Sequence, residues 1–150
     1  MTDAELDRLR IYNKYDGLCA YSGSPLDEDW QIDHVFPVRF KHFLKSEVMK
    51  SIYKIELVDI NQFENLVPCQ KIINHYKRGL LIDDPHHTTW NFRHRISVLH
   101  IKVGLLPKNP RVQRSITRKE YLLKVAGYFG ITSDNPFDGV FYFEKVEDKS

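Results

Sequence analysis

The spacing of hydrophobic residues predicts an N-terminal helix followed by two short strands. Thr2 and Glu5 form a capping box, so we expect a helix to begin there and to end at Gly17. Apolar and polar residues alternate over 30–35, which is typical of a half-buried strand. A second short strand is predicted at 66–68. The apolar side of the helix would be formed by Leu6, Leu9, Ile11 and Tyr12.

Three further segments complete the first half of the chain. Residues 18–25 are typical of a short strand that runs into a turn. A longer helix is predicted within 40–57, and residues 69–77 fit a short helix that ends near Gly79.

The second half of the chain contains both strand-like and helix-like patterns of hydrophobic residues. Residues 90–98 alternate apolar and polar side chains, which predicts a strand with one basic face. A capping box at 117–120 predicts another helix, closed by Gly130. A last strand is predicted at 140–143, before a frayed tail from Glu144. The expected fold class is therefore α+β. The buried side of the late helix would be formed by Leu122, Val125, Ala126 and Phe129.

Size and composition place the chain among single-domain cytoplasmic proteins. It has 150 residues, of which 42% are hydrophobic and 13% aromatic, enough for one buried core. No apolar run approaches the roughly 20 residues of a membrane span, and the acidic N-terminus does not resemble a secretory signal. Cys19 and Cys69 are too few for a disulfide scaffold.

Positive charge is concentrated although the net charge is only +2. Residues 85–119 contain no Asp or Glu but eight Lys or Arg and four His, and 39–54 carry five Lys or Arg against Glu47. Such segregation favours a surface that meets a polyanion, and the alternative is a solvated basic face without a partner.

The candidate chemistry lies in the strand–loop–strand–helix unit. Asp33 and His34 fall in the first strand, Asn65 at the second, and Asn74 and Lys77 in the helix. Such a unit can bring a carboxylate, an imidazole and an amide oxygen to one point. Carboxylate and amide oxygens suit Mg²⁺, and a neutral imidazole beside the ion can take a proton from water that attacks phosphorus.

These segments resemble the HNH endonuclease family, which has the ββα-metal fold. The family pattern is roughly C-x-Y-C-G, then I-D-H-x-x-P, then N-L-x-x-x-C-x-x-C-N-x-x-K. The resemblance implies one domain over 1–150, with an HNH core at about 16–79 and a basic, mixed α/β extension at about 80–150. The matching stretches are CAYSG at 19–23, IDHVFP at 32–37, ENLVPC at 64–69 and INHYK at 73–77.

The resemblance also implies a role for each residue. His34 would be the general base, and Asp33 and Asn74 would hold one divalent ion, Mg²⁺ or else Mn²⁺. Asn65 would fix the loop and orient His34. His75 is the alternative ligand if the helix register differs.

One departure from the family concerns zinc. Many relatives hold a structural zinc with two Cys pairs, but here Ser22 and Ile73 stand where two of the four thiolates would be. Because a closed zinc site needs about four ligands, we expect no structural zinc. Cys19 and Cys69 should instead be small buried residues.

The implied partner is DNA. Trp90 and Phe92 would either stack on nucleic acid or belong to the core. Residues 83–87 could suggest a second metal site, but their composition favours an exposed turn. Lys77 would meet a backbone phosphate or cap its helix. DNA contacts are expected from Lys77, Arg78, Arg93, Arg95, Arg111 and Arg114.

The sequence therefore predicts a metal-dependent DNA endonuclease that hydrolyses phosphodiester bonds. The alternatives are a nucleic-acid-binding module that has lost catalysis and a nuclease acting on RNA. A single active site cuts one strand per engagement, so a double-strand cut would require a homodimer or a second event.

Overall fold

The computed structural model describes residues 1–44, 46–47, 50 and 57–147. In these ranges the protein is a mixed α+β structure with one two-stranded sheet and six α-helices. Two 3₁₀ helices, Val38–Phe43 and Phe63–Asn65, lie in the connection between the strands. The other elements are α1 (Asp3–Asn13), β1 (Gln31–His34), β2 (Leu66–Cys69), α2 (Lys71–Lys77), α3 (Phe92–Ser97), α4 (Leu99–Gly104), α5 (Gln113–Phe129) and α6 (Tyr142–Glu147).

The N-terminal helix begins as its capping box predicts. Thr2 Oγ1 accepts a hydrogen bond from the Glu5 backbone N–H at 3.1 Å and donates one to Glu5 Oε1 at 3.1 Å. The helix ends at Asn13, and Gly17 closes the turn that follows, with a φ of +79° that favours glycine. Of its predicted apolar side only Ile11 is buried.

The two predicted strands pair with each other in antiparallel register. Asp33 lies opposite Val67 and His34 opposite Leu66. The strand predicted at 18–25 is reduced to an isolated bridge between Leu18 and Pro25, in a segment otherwise made of turns. The helix predicted at 69–77 forms as α2 and is ended by Arg78 in the left-handed conformation.

The strand predicted at 90–98 is wrong, because this segment forms helix α3. The Asn91 side chain caps it by accepting from the His94 backbone N–H at 2.8 Å. Phe92 and Ile96 are four residues apart, so they share one helix face, and both are fully buried. Positions four apart fit the period of a strand and that of a helix alike, so the spacing does not distinguish them, and the Asn91 cap favours the helix.

The late strand predicted at 140–143 is also wrong. Phe141 is buried in the core, but helix α6 begins at the next residue, Tyr142, and includes part of the tail expected to fray. The Phe143 backbone N–H donates to the Ala20 carbonyl at 2.7 Å, which ties α6 to the turn before β1.

Helix α5 ends as predicted but begins earlier. Gly130 closes it in the left-handed conformation, and Leu122, Val125 and Ala126 are buried. Its first residue is Gln113, so residues 117–120 lie inside the helix and do not cap it. Half of the segment 40–57, in which a helix is predicted, lies outside the described residues.

Two hydrophobic clusters hold these elements together. The larger one contains Tyr21, Phe92 and Phe141, whose rings lie within 5.5 Å of one another by centroid distance. The smaller one packs Phe36 and Leu81 under the connection between the strands. None of the described helices has both the length and the apolar character needed to cross a bilayer.

Candidate active site

The C-terminal end of β1 and one face of α2 form the centre of the candidate site. Gln31 and Asp33 are two residues apart in a strand and therefore face the same way. Asn74 and Lys77 are three apart on the helix and also share a face. The two faces meet: Asn74 Nδ2 donates to Gln31 Oε1 at 2.8 Å, and Lys77 Nζ lies 3.0 Å from Asp33 Oδ2.

The Asp33 carboxylate is fixed through one of its oxygens. Oδ2 accepts a hydrogen bond from the Tyr21 hydroxyl at 2.5 Å as well as the Lys77 ammonium. Burial and the neighbouring Asp33 carboxylate raise the pKa of Tyr21 well above its usual value, so the hydroxyl keeps its proton and stays a donor. Tyr21 belongs to the aromatic core, so this contact joins the site to the rigid interior.

Lys77 does not occupy the place expected of a phosphate contact. Its side chain is 0% exposed, and its Nζ donates to the His34 carbonyl at 3.0 Å besides pairing with Asp33. A buried ammonium held in this way cannot reach a DNA backbone without leaving its partners. The prediction that Lys77 contacts DNA is corrected accordingly: Lys77 locks α2 to the end of β1.

His34 is held from the opposite side by the loop before β2. Its Nε2 lies 2.8 Å from Asn61 Oδ1. Because an amide oxygen can only accept, this contact places the imidazole proton on Nε2. The other nitrogen, Nδ1, then carries the lone pair and is the atom able to accept a proton.

Sequence reasoning missed Asn61. Its backbone N–H donates to Asp59 Oδ1 at 2.8 Å, and Gln62 Oε1 accepts from the backbone N–H groups of Val58 and Asp59. The loop is therefore braced by its own side chains. The sequence does indicate a structured loop here, because Asp59, Asn61 and Gln62 cluster before Asn65 and Asp and Asn favour turns.

Asn65 occupies the position predicted for a loop-fixing residue. It is buried, and its Oδ1 accepts from the Phe36 backbone N–H at 2.7 Å. Its Nδ2 donates to the carbonyls of Phe36 and Ile60 at 3.1 and 2.8 Å. Asn65 thus ties the chain after His34 to the loop that carries Asn61.

Asn74 and His75 point to different parts of the molecule. Asn74 faces β1, as described above, whereas His75 Nδ1 lies 2.6 Å from the Tyr121 hydroxyl on α5. Of the two, the structure therefore brings Asn74 and not His75 to the side of the sheet where Asp33 lies.

A hydrogen-bonded turn lies next to the two cysteines, where the Cys19 backbone N–H donates to the Ser24 carbonyl at 2.8 Å. Gln70 Nε2 donates to Pro25 O at 2.6 Å and to Ser24 Oγ at 3.1 Å, and Gln70 Oε1 accepts from the Asp27 N–H. Cys19 and Cys69 are buried core residues, as predicted. Burial, together with the charges of Asp33 and Cys19, raises the pKa of the Cys69 thiol.

The remaining predicted DNA contacts divide into two groups. Arg78, Arg111 and Arg114 are exposed and Arg95 is partly exposed. Arg93 is not available, because its guanidinium donates to Asp83 at 2.8 Å and to Glu144 at 2.7 Å. The prediction of a DNA contact at Arg93 is therefore corrected: this side chain joins α3 to α6.

The segment 83–87 forms a turn, as predicted. Asp84 Oδ1 accepts from the His86 backbone N–H at 2.9 Å, and Asp83 pairs with Arg93. Within the described ranges, no group of three His, Cys, Asp or Glu side chains is arranged to hold a metal ion. The candidate metal ligands are thus one carboxylate and one amide.

Comparison of the chain with protein-family models, with curated proteins and with solved structures gave no match.

Proposed function

We propose that this protein is a metal-dependent HNH DNA endonuclease with a ββα-metal core formed by β1, β2 and α2. The observation that carries the proposal is the meeting of α2 with the end of β1. Lys77 binds the Asp33 carboxylate and the His34 carbonyl together, and Asn74 lies one turn earlier on the same helix face. The Asp33 carboxylate from β1 and the Asn74 amide from the helix thus lie on the same side of the hairpin, and the His34 imidazole is carried by the last residue of β1.

The donor atoms fit a hard divalent cation. The hydrogen bonds and ion pair described for Asp33 use Oδ2 and the side-chain bond of Asn74 uses Nδ2, so each residue retains one oxygen, Oδ1, with no hydrogen bond in the described part of the chain. Asp33 and Asn74 would hold Mg²⁺ or Mn²⁺ through these oxygens. A bound cation would supply charge stabilisation at a phosphate. Because Lys77 neutralises Asp33, we expect weak binding until substrate phosphate adds its own oxygens.

His34 accepts the proton of the attacking water at Nδ1. Its Nε2 proton is held by Asn61, so the tautomer needed for this transfer is already selected. Asn61 acts through His34 and is a positioning residue. Asn65 has the same kind of role, because it fixes both ends of the loop that carries these groups.

DNA is the expected substrate because several exposed arginines form no ion pair with an acid within the described residues. Arg78 directly follows α2, and Arg111 and Arg114 precede and begin α5. Phosphate contacts from such residues provide most of the affinity for DNA that does not depend on sequence.

The test is the cleavage of supercoiled plasmid with Mg²⁺, with Mn²⁺ and with EDTA. We expect metal-dependent nicking by the wild type and a loss of about 10²–10⁴-fold for His34→Ala, the usual size of a general-base effect. Asn61→Ala should lower kcat about 10-fold with little change in KM, since it removes tautomer selection and no substrate contact.

His86→Ala is the matched control, because it removes a histidine from an exposed turn and should leave the rate unchanged. Equal rates for the wild type and His34→Ala would remove His34 from the mechanism. Binding without cleavage would favour the inactive-module alternative, and faster cleavage of RNA of the same sequence would favour the RNA nuclease.

A further inference from the structure

A cleft of about 490 Å³ contains a concentration of positive charge. It is formed where the chain after β1 and the chain after α2 meet helices α3 and α4. Its volume is in the range of sites that hold molecules the size of a nucleotide. The cationic and titratable side chains that line it are Arg39, Arg78, His94, Arg95 and Lys102.

Within the described residues these positive charges have no acidic partner. The cleft lining contains no Asp or Glu, and within the described residues none of Arg39, Arg78, Arg95 and Lys102 forms an ion pair with an acid. Burial and then the positive charges of Arg95 and Arg118 lower the pKa of Lys102. Cations that repel one another across a cleft favour an anionic ligand.

Arg95 adds a polar group that lacks a partner. Its guanidinium lies over the Tyr76 ring, with 4.2 Å from Cζ to the ring centroid. Its Nε is buried and makes no hydrogen bond to any described residue. Buried donors are almost always satisfied, so this N–H is an unexplained polar group at the wall of the cleft, and the side chain must turn for a ligand to accept from it.

The rim of the cleft carries an exposed indole. Trp90 is 65% exposed, whereas the other tryptophan, Trp30, is 8% exposed, and Phe92 is fully buried. The sequence left open whether Trp90 and Phe92 stack on nucleic acid or belong to the core, and the structure separates them. An uncovered aromatic face beside free cations is the combination that binds unpaired nucleotides, since every base has a π-face and every linkage a phosphate.

We infer that this cleft binds a single-stranded segment of the nucleic-acid substrate, with a base stacked on Trp90 and phosphates at Arg39, Arg78 and Arg95. The inference rests on the proposed function, which identifies the polymer as nucleic acid. It adds that the substrate has unpaired nucleotides next to the scissile bond. Arg39 lies five residues after His34, and Arg78 directly after Lys77, so two arginines of the cleft belong to segments that continue from the candidate site.

The experiment measures binding and does not depend on cleavage. Fluorescence anisotropy of a labelled oligothymidylate of about 12 nucleotides, a length within the usual site sizes, is compared with that of a blunt duplex of the same length in EDTA. We expect Trp90→Ala to weaken binding of the single strand about 5- to 100-fold and to leave duplex binding unchanged. Trp90→Phe retains an aromatic face and should restore affinity to within about threefold of the wild type.

Two further readouts separate stacking from general attraction. The oligonucleotide should quench the tryptophan emission of the wild type but not that of Trp90→Phe, which binds and lacks the exposed indole. Arg78→Ala should reduce the slope of log affinity against log salt by about 0.7. Arg10→Ala is the matched control, because it removes an exposed arginine from α1, away from the cleft, and should change neither quantity.

Three results would overturn the inference. One is unchanged single-strand binding by Trp90→Ala. Another is that the duplex binds the wild type as tightly as the single strand does and that Trp90→Ala weakens its binding by the same factor. The third is a polyglutamate peptide of equal charge that competes as well as the oligonucleotide, which would assign the cleft to an acidic protein. Failure of plasmid cleavage with intact single-strand binding would count against the proposed function alone.

Discussion

The strand–helix unit and the basic cleft use positive charge in opposite ways. In the first, Lys77 is fully buried and bound to a carboxylate and a carbonyl. In the second, Arg95 and Lys102 have no acidic partner among the described residues, and Arg95 retains a buried N–H without an acceptor. A paired cation contributes to folding, whereas an unpaired one is available to a ligand. Variants of the two regions should therefore change different measurements.

The same difference separates two neighbours on α3. Arg93 is bound by Asp83 and Glu144, while Arg95, two residues later, faces the cleft. Residues two apart lie on different sides of a helix, so one arginine meets acids and the other does not. A count of basic residues in this segment would treat them as equivalent.

The largest expected effect comes from removing the buried charge. Lys77→Met keeps most of the side-chain volume but leaves the Asp33 carboxylate, which is only 12% exposed, with Tyr21 as its one partner among the described residues. Breaking a buried pair in this way costs about 3–5 kcal/mol. We expect the free energy of unfolding in urea to fall by about that amount.

Lys124→Met makes the same change on the exposed side of α5 and should alter stability by less than about 0.5 kcal/mol. The double variant Lys77→Met with Asp33→Asn should recover part of the loss, because no charge is then left unpaired. A Lys77→Met protein as stable as the wild type would show that Lys77 is solvated and free to contact DNA.

The local hydrophobic pattern predicted β1, β2 and α2, but it also predicted strands at 90–98 and 140–143 that the structure does not have. Residues 30–35 alternate between apolar and polar, and the four residues of β1 are all partly buried, as expected of a half-buried strand. The segment 90–98 also alternates, but Asn91 caps a helix and Phe92 and Ile96 bury together on it. Local spacing is compatible with both structures, and packing against the distant Phe141 decides.

The site shows the same limit. Asp33, His34, Asn65 and Asn74 are candidates because of the resemblance to the HNH pattern, and each lies in or beside a predicted element. The burial of Lys77 depends on the His34 carbonyl, which lies 43 residues away in sequence. The contact of Asn61 with His34 depends on how a long connection folds back. Neither partner can be identified without the tertiary structure.

The second prediction compares a paired with an unpaired arginine. Arg93→Ala removes charge-assisted bonds to Asp83 and Glu144, so we expect the free energy of unfolding to fall by about 1–3 kcal/mol. DNA affinity should not change, because this guanidinium faces protein carboxylates. Arg114→Ala should leave the free energy of unfolding within about 0.5 kcal/mol of the wild type. It should reduce the slope of log DNA affinity against log salt by about 0.9.

Urea unfolding and a salt titration of duplex binding distinguish these outcomes. The comparison between regions fails if Arg93→Ala weakens DNA binding while stability is unchanged.

The smallest expected effect concerns the closed interior of the strand–helix unit. Burial raises the pKa of the Cys69 thiol, so the folded protein keeps this proton to higher pH than the unfolded chain does. The unfolded chain releases it near the ordinary value of about 8.5, and above that pH it binds fewer protons than the folded state. Stability from Cys69 is therefore complete below about pH 8.5 and declines above it, by at most about 1.4 kcal/mol per pH unit.

Urea unfolding between pH 7 and 9.5 measures this decline. Cys69→Ala should be less stable at every pH because it leaves a cavity, but its stability should fall less steeply above pH 8.5 than that of the wild type. Val67→Ala, which shortens a buried side chain of the same strand that does not titrate, should keep the wild-type slope. Equal slopes for Cys69→Ala and the wild type would mean that water reaches this thiol in the folded state. The contrast with the open basic cleft would then be lost, since both regions would be accessible to solvent.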